Sequence, residues 1–300
     1  MKYDIIGDIH GHGTKLENLL IKMGYKLTGK GYAHPEQTAV FVGDFVDKGE
    51  DLIEHKKVLN IVMPMVANGN ALAVMGNHEF NAIAFHTEVD GKPLRKHSDK
   101  NKKQHQAFLN EYPVGSTEAQ EVITFFKSLP LFLELDDFRV VHACWDDSQI
   151  AFLKKALPDN KVTDEFMIQA NIKGTPEYAA IERVLKGVEI ELPNGLTFKD
   201  SYGVIRKELR VNWWNCNATS LREVSRQPNL DLSHIDIDLS EHIPFYPESS
   251  PMCFIGHFWL SGEPKPLADN VICVDYSVAG GGDLVAYRHD SVGTGSFVSC

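Results

Sequence analysis

Residues 3–11 read YDIIGDIHG, an apolar run that stops at Gly7-Asp8 and places His10 two positions after Asp8. Side chains two apart in an extended chain point to the same side, so Asp8 and His10 converge on one point where a cation could sit. Gly7 and Gly11 let the backbone turn sharply at the end of such a strand. Taken alone, the nine residues suit an Asx-type turn before a helix equally well.

The same unit recurs downstream. After YDIIGDIHG, the segment TKLENLLIKMGY carries Leu16, Leu19, Leu20 and Met23 at helical spacing, and Thr14 with Glu17 forms a capping-box pattern. TAVFVGDFVDKG is a second strand and loop, followed by a helical pattern through Leu52, Leu59, Val62, Met63 and Val66, and ALAVMGNHEF is a third strand and loop. Each apolar run ends in Gly followed by Asp or Asn, and ligands of open α/β sheets lie outside such strand ends. Beyond them, LPLFLELDDFRVVHACW predicts two strands joined at Asp136-Asp137. MCFIGHFW, NVICVDYSVAG and DLVAYRHD predict three more. Between these, residues 146–246 show scattered helical periodicity and weak strand signal, which predicts an insertion over the site within a single domain of residues 1–300.

Composition narrows the function classes. The chain has 300 residues, 43% hydrophobic and 24% charged, ample for a large core. Its net charge of −11 argues against general attraction to nucleic acid or anionic membranes. No stretch has the apolar length of a membrane span, and the N-terminus turns polar too soon for a secretory signal, so a cytoplasmic location is expected. Cys144, Cys216, Cys253, Cys273 and Cys300 form no C-x-x-C pair and are odd in number, which predicts neither disulfides nor structural zinc.

Five strand ends therefore carry the chemistry: GDIHG (7–11), GDFVDKG (43–49), GNHE (76–79), VHA (141–143) and GH (256–257). Carboxylate, amide and imidazole donors without thiolates suit borderline divalent metals such as manganese, iron or zinc. In order and wording these segments resemble the calcineurin-like metallophosphoesterases, in particular the phosphoprotein-phosphatase branch and its bacterial relatives, which include diadenosine tetraphosphate hydrolases. The resemblance runs through residues 3–79 and returns near His142 and from Met252 to Gly282.

That resemblance implies an α/β fold of two stacked mixed β-sheets flanked by helices, with an inserted helical and loop region. It implies two divalent ions, manganese first, with iron, zinc or magnesium as alternatives. Asp8 and His10 would hold one ion, Asn77, His142 and His257 the other, and Asp44 would bridge them. Metal-bound hydroxide would attack phosphorus in line. His78 matches the family's general acid and Asp47 its partner. The family usually carries Arg where Lys48 stands, and lysine offers a point charge in place of a fork. Arg206 and Arg210 are both candidates for a second phosphate contact. The expected substrate is phosphorylated, phosphoprotein or nucleotide. A serine/threonine-type phosphomonoesterase leads, with a dinucleoside polyphosphate pyrophosphohydrolase or a non-catalytic binding protein on the same fold as alternatives.

Outside these segments, the basic run 92–106 is expected to be a solvated face, or else a border of the site that steers anions. Trp213 and Trp214 are expected in the core of the insertion, with nucleobase stacking as the rival role. His34, His55, His97 and His289 are expected at the surface, solvated or hydrogen-bonded.

Overall fold

The computed structural model describes residues 2–48, 54–135, 137–199, 203–227, 229–233, 235–289 and 295–300. Leu52, Gly49 and Asp136, each part of a predicted element, lie outside them. The three N-terminal apolar runs form β1 (Lys2–Ile6), β2 (Gln37–Phe41) and β3 (Ala71–Ala73), paired in parallel with Ile5 opposite Val40 and Val40 opposite Leu72. Four strands form a second sheet: β4 (Phe132–Glu134), β5 (Phe138–Val141), β6 (Met252–Ile255) and β7 (Val271–Cys273). The chain then returns to the first sheet as β8 (Val285–His289), antiparallel to β1, and β9 (Ser296–Ser299) at its edge. The sheet orders are β9-β8-β1-β2-β3 and β7-β6-β5-β4.

Alternation along these strands explains why they read as continuous apolar runs. Ile5, Val40, Val42 and Val74 from the first sheet meet Phe138, Val140, Phe254 and Ile272 from the second, a dry layer between the sheets. Their neighbours Ile6, Phe41 and Ala73 belong to a separate cluster with the helices. A strand buried on both faces has no polar side to show.

Among the described residues, eight helices of seven residues or more cover the outer faces or the ends: α1 (Gly13–Lys22), α2 (His55–Ala67), α3 (Asn77–His86), α4 (Asp99–Glu111), α5 (Thr117–Lys127), α6 (Asp147–Ala156), α7 (Asp164–Ala170) and α8 (Pro176–Lys186). The expected capping box of α1 is absent. Thr14 lies inside the first turn and donates its N–H and hydroxyl to the Glu54 carboxylate at 3.0 and 2.6 Å, so the acid before α2 caps α1. Glu17 instead accepts from the Tyr32 hydroxyl and pairs with Lys57.

Residues 146–246 hold α6, α7 and α8 and also two small antiparallel ladders that the sequence reading did not foresee. Glu189–Glu191 pairs with Glu208–Arg210, and Phe198–Lys199 with Ile205–Arg206. Each is too short and too polar to show an apolar run; Ile190 opposite Leu209 is the buried pair of the first. In the basic run, Lys100 and Lys102 are exposed on α4 as expected, but His105 on the same helix is buried.

Two of the histidines expected at the surface are in the interior. His55 is fully buried and its Nε2 accepts the Asp47 N–H at 2.9 Å. His289 shares a face of β8 with Tyr287 and packs against Phe138 and Phe254. His97 is half-buried, stacked on Phe85 with its ring N–H donating to the Phe85 carbonyl, while His34 stays near the surface and accepts two backbone N–H groups.

Candidate active site

The loops after β1, β2 and β3 are stitched to one another before any side chain is considered. Ile9 and His10 donate their N–H groups to the Asp44 carbonyl at 3.0 and 2.9 Å, and Gly11 donates to the Phe45 carbonyl. The Glu79 carboxylate accepts from the N–H groups of Asp44, Phe45 and Gly76, tying the second loop to the start of α3. Glycine is required where the loops press together. A Cβ on Gly76 would collide with Asp44, and one on Gly256 with the Asp8 carboxylate. Among the described residues, His10, Asp44, Asp47, Lys48, His257, Trp259 and Ser277 hold left-handed backbone although none is glycine. Such strain persists only where surrounding structure enforces it, and it gathers at ligand-binding sites.

These constraints aim a set of buried donors at one place. Asp44 Oδ1 accepts the His78 N–H at 3.0 Å, leaving Oδ2 free to face the Nε2 atoms of His142 at 3.4 Å, His10 at 3.8 Å and His78 at 3.9 Å. Asp8 Oδ2 accepts the His257 N–H at 3.0 Å. Asp8 Oδ1, Asp44 Oδ2, His10 Nε2 and both ring nitrogens of His257 are buried and have no hydrogen-bond partner. Buried polar atoms are otherwise almost always paired, so a group of orphans needs a ligand. Ligand atoms bound at about 2.1 Å to one ion stand about 3–3.5 Å apart, close to the spacings here. The donor atoms of His10, Asp44 and His78, and those of Asp44, His142 and His257, lie within 4.8 Å of one another, with Asp44 in both groups. Asn77 Oδ1 is 3.2 Å from His142 Nε2, at the edge of the second group.

The imidazoles are held in the tautomer that a cation needs. The Nδ1 atoms of His10 and His142 donate to the carbonyls of Val46 and Val42 at 3.2 and 2.7 Å, leaving the Nε2 lone pairs inward. Burial lowers His10 well below its ordinary range, helped by Lys48, and lowers His257 likewise, helped by Arg210. Burial pushes Asp8 well up, with Asp275 adding to it. Burial would raise Asp44 too, but His142 and His78 outweigh it and hold that carboxyl well below the usual range. For His142, Asp44 overcomes the effect of burial and lifts the ring to about 10. A divalent ion would take the place of that proton. The donor set therefore fits two divalent ions.

His78 is engaged differently. Its Nδ1 lies 3.1 Å from Asp47 Oδ2, while Asp47 Oδ1 accepts from His105 Nδ1 at 2.8 Å, and His105 Nε2 meets His86 Nε2 at 3.2 Å. Burial alone would raise Asp47, yet His105 and His78 hold it well below the ordinary carboxylate range. His105 came from the run read as a solvated face. The available signal was its place three residues before Phe108 and four before Leu109, on the apolar side of α4.

Lys48 lies with its ammonium 3.1 Å from the centroid of the Trp259 ring. Burial lowers its pKa, while Asp44, Asp275 and Asp8 oppose the shift. Asp275 accepts the N–H groups of Trp259 and Ser277 at 2.7 and 3.0 Å; its signal in the sequence is the same apolar run ending in Asp, VICVD. Arg210 pairs with Glu189 and reaches Lys48 and His257 through its charge. Arg206 is exposed and lines, with Arg210 and Trp259, a cavity of about 530 Å³. Trp213 and Trp214 are both core residues, the former donating its indole N–H to the Ala143 carbonyl at 3.1 Å.

The chain is similar in sequence and fold to known proteins. Residues 1–192 match the calcineurin-like phosphoesterase family. A bis(5'-nucleosyl)-tetraphosphatase PrpE (asymmetrical) of Oceanobacillus iheyensis is 32% identical over 180 residues, covering 58% of this chain and 66% of that protein. Its namesake in Halalkalibacterium halodurans is 31% identical over 183 residues, 59% of this chain and 70% of that one. The chain thus spans about two thirds of the length of these relatives. In fold, it is similar to the cold-active protein-tyrosine phosphatase of a Shewanella species, with a TM-score of 0.51 at 19% identity over 99% of this chain and 80% of that one. The strand-end donors and the match over 192 residues together make the chain a member of the calcineurin-like phosphoesterases, a hydrolase of phosphate esters.

Proposed function

We propose that this chain hydrolyses dinucleoside polyphosphates, cutting the phosphate bridge off-centre. The observation that carries the reading is the pair of relatives above 30% identity that share the tetraphosphatase name. They favour this substrate over the phosphoprotein that the strand-end segments alone suggest. No helix among the described residues is long and apolar enough to cross a membrane, and a cytoplasmic location goes with a nucleotide substrate.

Two divalent ions, manganese first because imidazole favours the softer metal, would neutralise the phosphate oxygens and supply a nucleophile from water near neutral pH. Asp8 and His10 would hold one, Asn77, His142 and His257 the other, with Asp44 Oδ2 between them. Asp8 is preferred to His78 as a ligand because its buried Oδ1 is an orphan, whereas neither ring nitrogen of His78 is among the orphaned atoms. His78 would give a proton from Nε2 to the departing phosphate oxygen. Asp47, charged and fixed by His105, would stabilise the imidazolium required for that donation. Lys48 and Arg210 would bind phosphate oxygens.

Diadenosine tetraphosphate, a phosphoserine peptide and 4-nitrophenyl phosphate, each supplied with manganese, test the reading. The highest kcat/KM is expected for the dinucleotide, with adenosine mono- and triphosphate as products on chromatography. A preference for the peptide, or two diphosphates as products, would refute it. Chelation should abolish all three activities; full turnover after prolonged chelation counts against the two-ion site.

A further inference from the structure

We propose that Trp259 is the stacking platform for a nucleobase of the substrate, an inference that rests on the nucleotide reading above. Three of the four tryptophans, Trp145, Trp213 and Trp214, are buried, whereas Trp259 is 42% exposed. It stands two residues after His257, so its distance from the phosphate-cleaving centre is fixed by the chain itself. A bulky residue with left-handed backbone is strained, and Trp259 has φ 50°. The buried Asp275 carboxylate enforces that conformation by accepting its N–H at 2.7 Å. The fold therefore holds a large apolar ring in solvent at a conformational cost, which core packing does not explain.

The ring borders two cavities. One, of about 430 Å³, is shared with His10, Lys48 and Asp275 and opens on the donor cluster. The other, of about 530 Å³, has Phe198, Ile205, Gln227, Arg206 and Arg210 on its wall but no part of Lys48. Both volumes lie in the range of small-ligand pockets. Lys48 covers the indole on the side of the phosphate centre. The second cavity offers the rest of the ring, apolar contacts at Phe198, Ile205 and Phe258 within a mainly charged wall, and an amide at Gln227 able to donate to and accept from a base edge. Arg206 and Arg210 on the wall of the second cavity supply cations for a polyphosphate chain. A phosphoserine or phosphothreonine side chain has no flat π-face to use such a platform; every nucleobase does.

The test combines kinetics with a binding signal that needs no turnover. Stacking on an aromatic residue is worth enough that Trp259→Ala should raise KM for diadenosine tetraphosphate about tenfold more than KM for inorganic tripolyphosphate, which has no base. Trp259→Phe should recover most of the difference. In chelator, adenosine diphosphate should quench the indole emission of the wild type, and the quench should vanish in Trp259→Phe, whose remaining tryptophans are buried. Equal rises in KM for both substrates, or no quench, would overturn the platform even with dinucleotide hydrolysis intact. A quench lost in Trp259→Phe, in an enzyme that fails to cleave the dinucleotide, would keep the base site and remove the proposed substrate.

Discussion

The loops after β1, β2 and β3 and the segment from 146 to 246 reach the same centre by opposite means. In the loops, every donor lies within a few residues of a strand end, so strand register and backbone bonds such as Ile9 N–H to Asp44 O fix it. In the segment, Arg210 owes its position to a short ladder against Glu189–Glu191 and to packing that leads back to Ala143. There the N–H donates to the Val184 carbonyl at 2.9 Å and the carbonyl accepts from Trp213. The donor cluster is thus built from local strand-end patterns, and the arginine-lined wall of the neighbouring cavity from tertiary packing.

The sharpest way to break this division is at the shared donor. Asp44→Asn removes the charge that would let two dications stand close together. Turnover should fall roughly 10³-fold or more, beyond the 10–100-fold that outer partners of a metal ligand are worth, and metal content by elemental analysis should fall with it. Two ions per chain with normal turnover would remove Asp44 from the bridge.

A smaller effect is expected at His78. His78→Asn should cost about 10²-fold on an alkyl monoester, where the departing oxygen is strongly basic. The loss should be less than about tenfold on 4-nitrophenyl phosphate, which leaves without help. A dinucleotide should lose no more than the nitrophenyl ester, because its departing group is a phosphate with a second pKa near 6. His105→Gln should show the same ranking in milder form, since it acts through Asp47. Equal losses on all substrates, with metals retained, would give His78 a role in holding oxygens in place of proton transfer.

What could be read from the sequence follows the same division. Asp8, His10, Asp44, Asn77 and His78 were legible because a strand end with Gly and a polar pair is a local pattern, and the alternation of β1 and β2 follows from their composition. Trp259 was not, because nothing in GHFWLSG distinguishes a buried indole from one held outward by Asp275, sixteen residues later. His105 was masked by the lysines around it, and the ladders at Glu189–Glu191 and Phe198–Lys199 by their charge. Those features are decided by contacts between distant segments, which no window of sequence contains.

Trp213→Phe tests whether the segment and the sheets form one cooperative unit. It keeps most of the ring but leaves the Ala143 carbonyl without its buried partner, a loss of about 1–3 kcal/mol. The urea midpoint should drop in a single transition, with turnover of 4-nitrophenyl phosphate impaired less than by His78→Asn. A separate early transition would make the segment a unit that unfolds alone.

The smallest expected effect lies where the two regions meet. Lys48 comes from the loop after β2, yet its ammonium rests on Trp259, which also borders the cavity lined by Arg210. A guanidinium can stack on an aromatic face and still present a fork to phosphate, whereas an ammonium offers a point charge. Lys48→Arg should therefore keep the contact with Trp259 and lower KM for 4-nitrophenyl phosphate about threefold, the scale of one improved charge-assisted hydrogen bond at a partly open site. Its backbone is already left-handed, a strain the substitution leaves unchanged because both residues are long and unbranched at Cβ. Steady-state kinetics on Lys48→Arg beside the wild type decide the matter. An unchanged or higher KM means that Lys48 does not grip the phosphate and that its charge serves to hold the indole, which would move this residue from the chemical side of the centre to the recognition side.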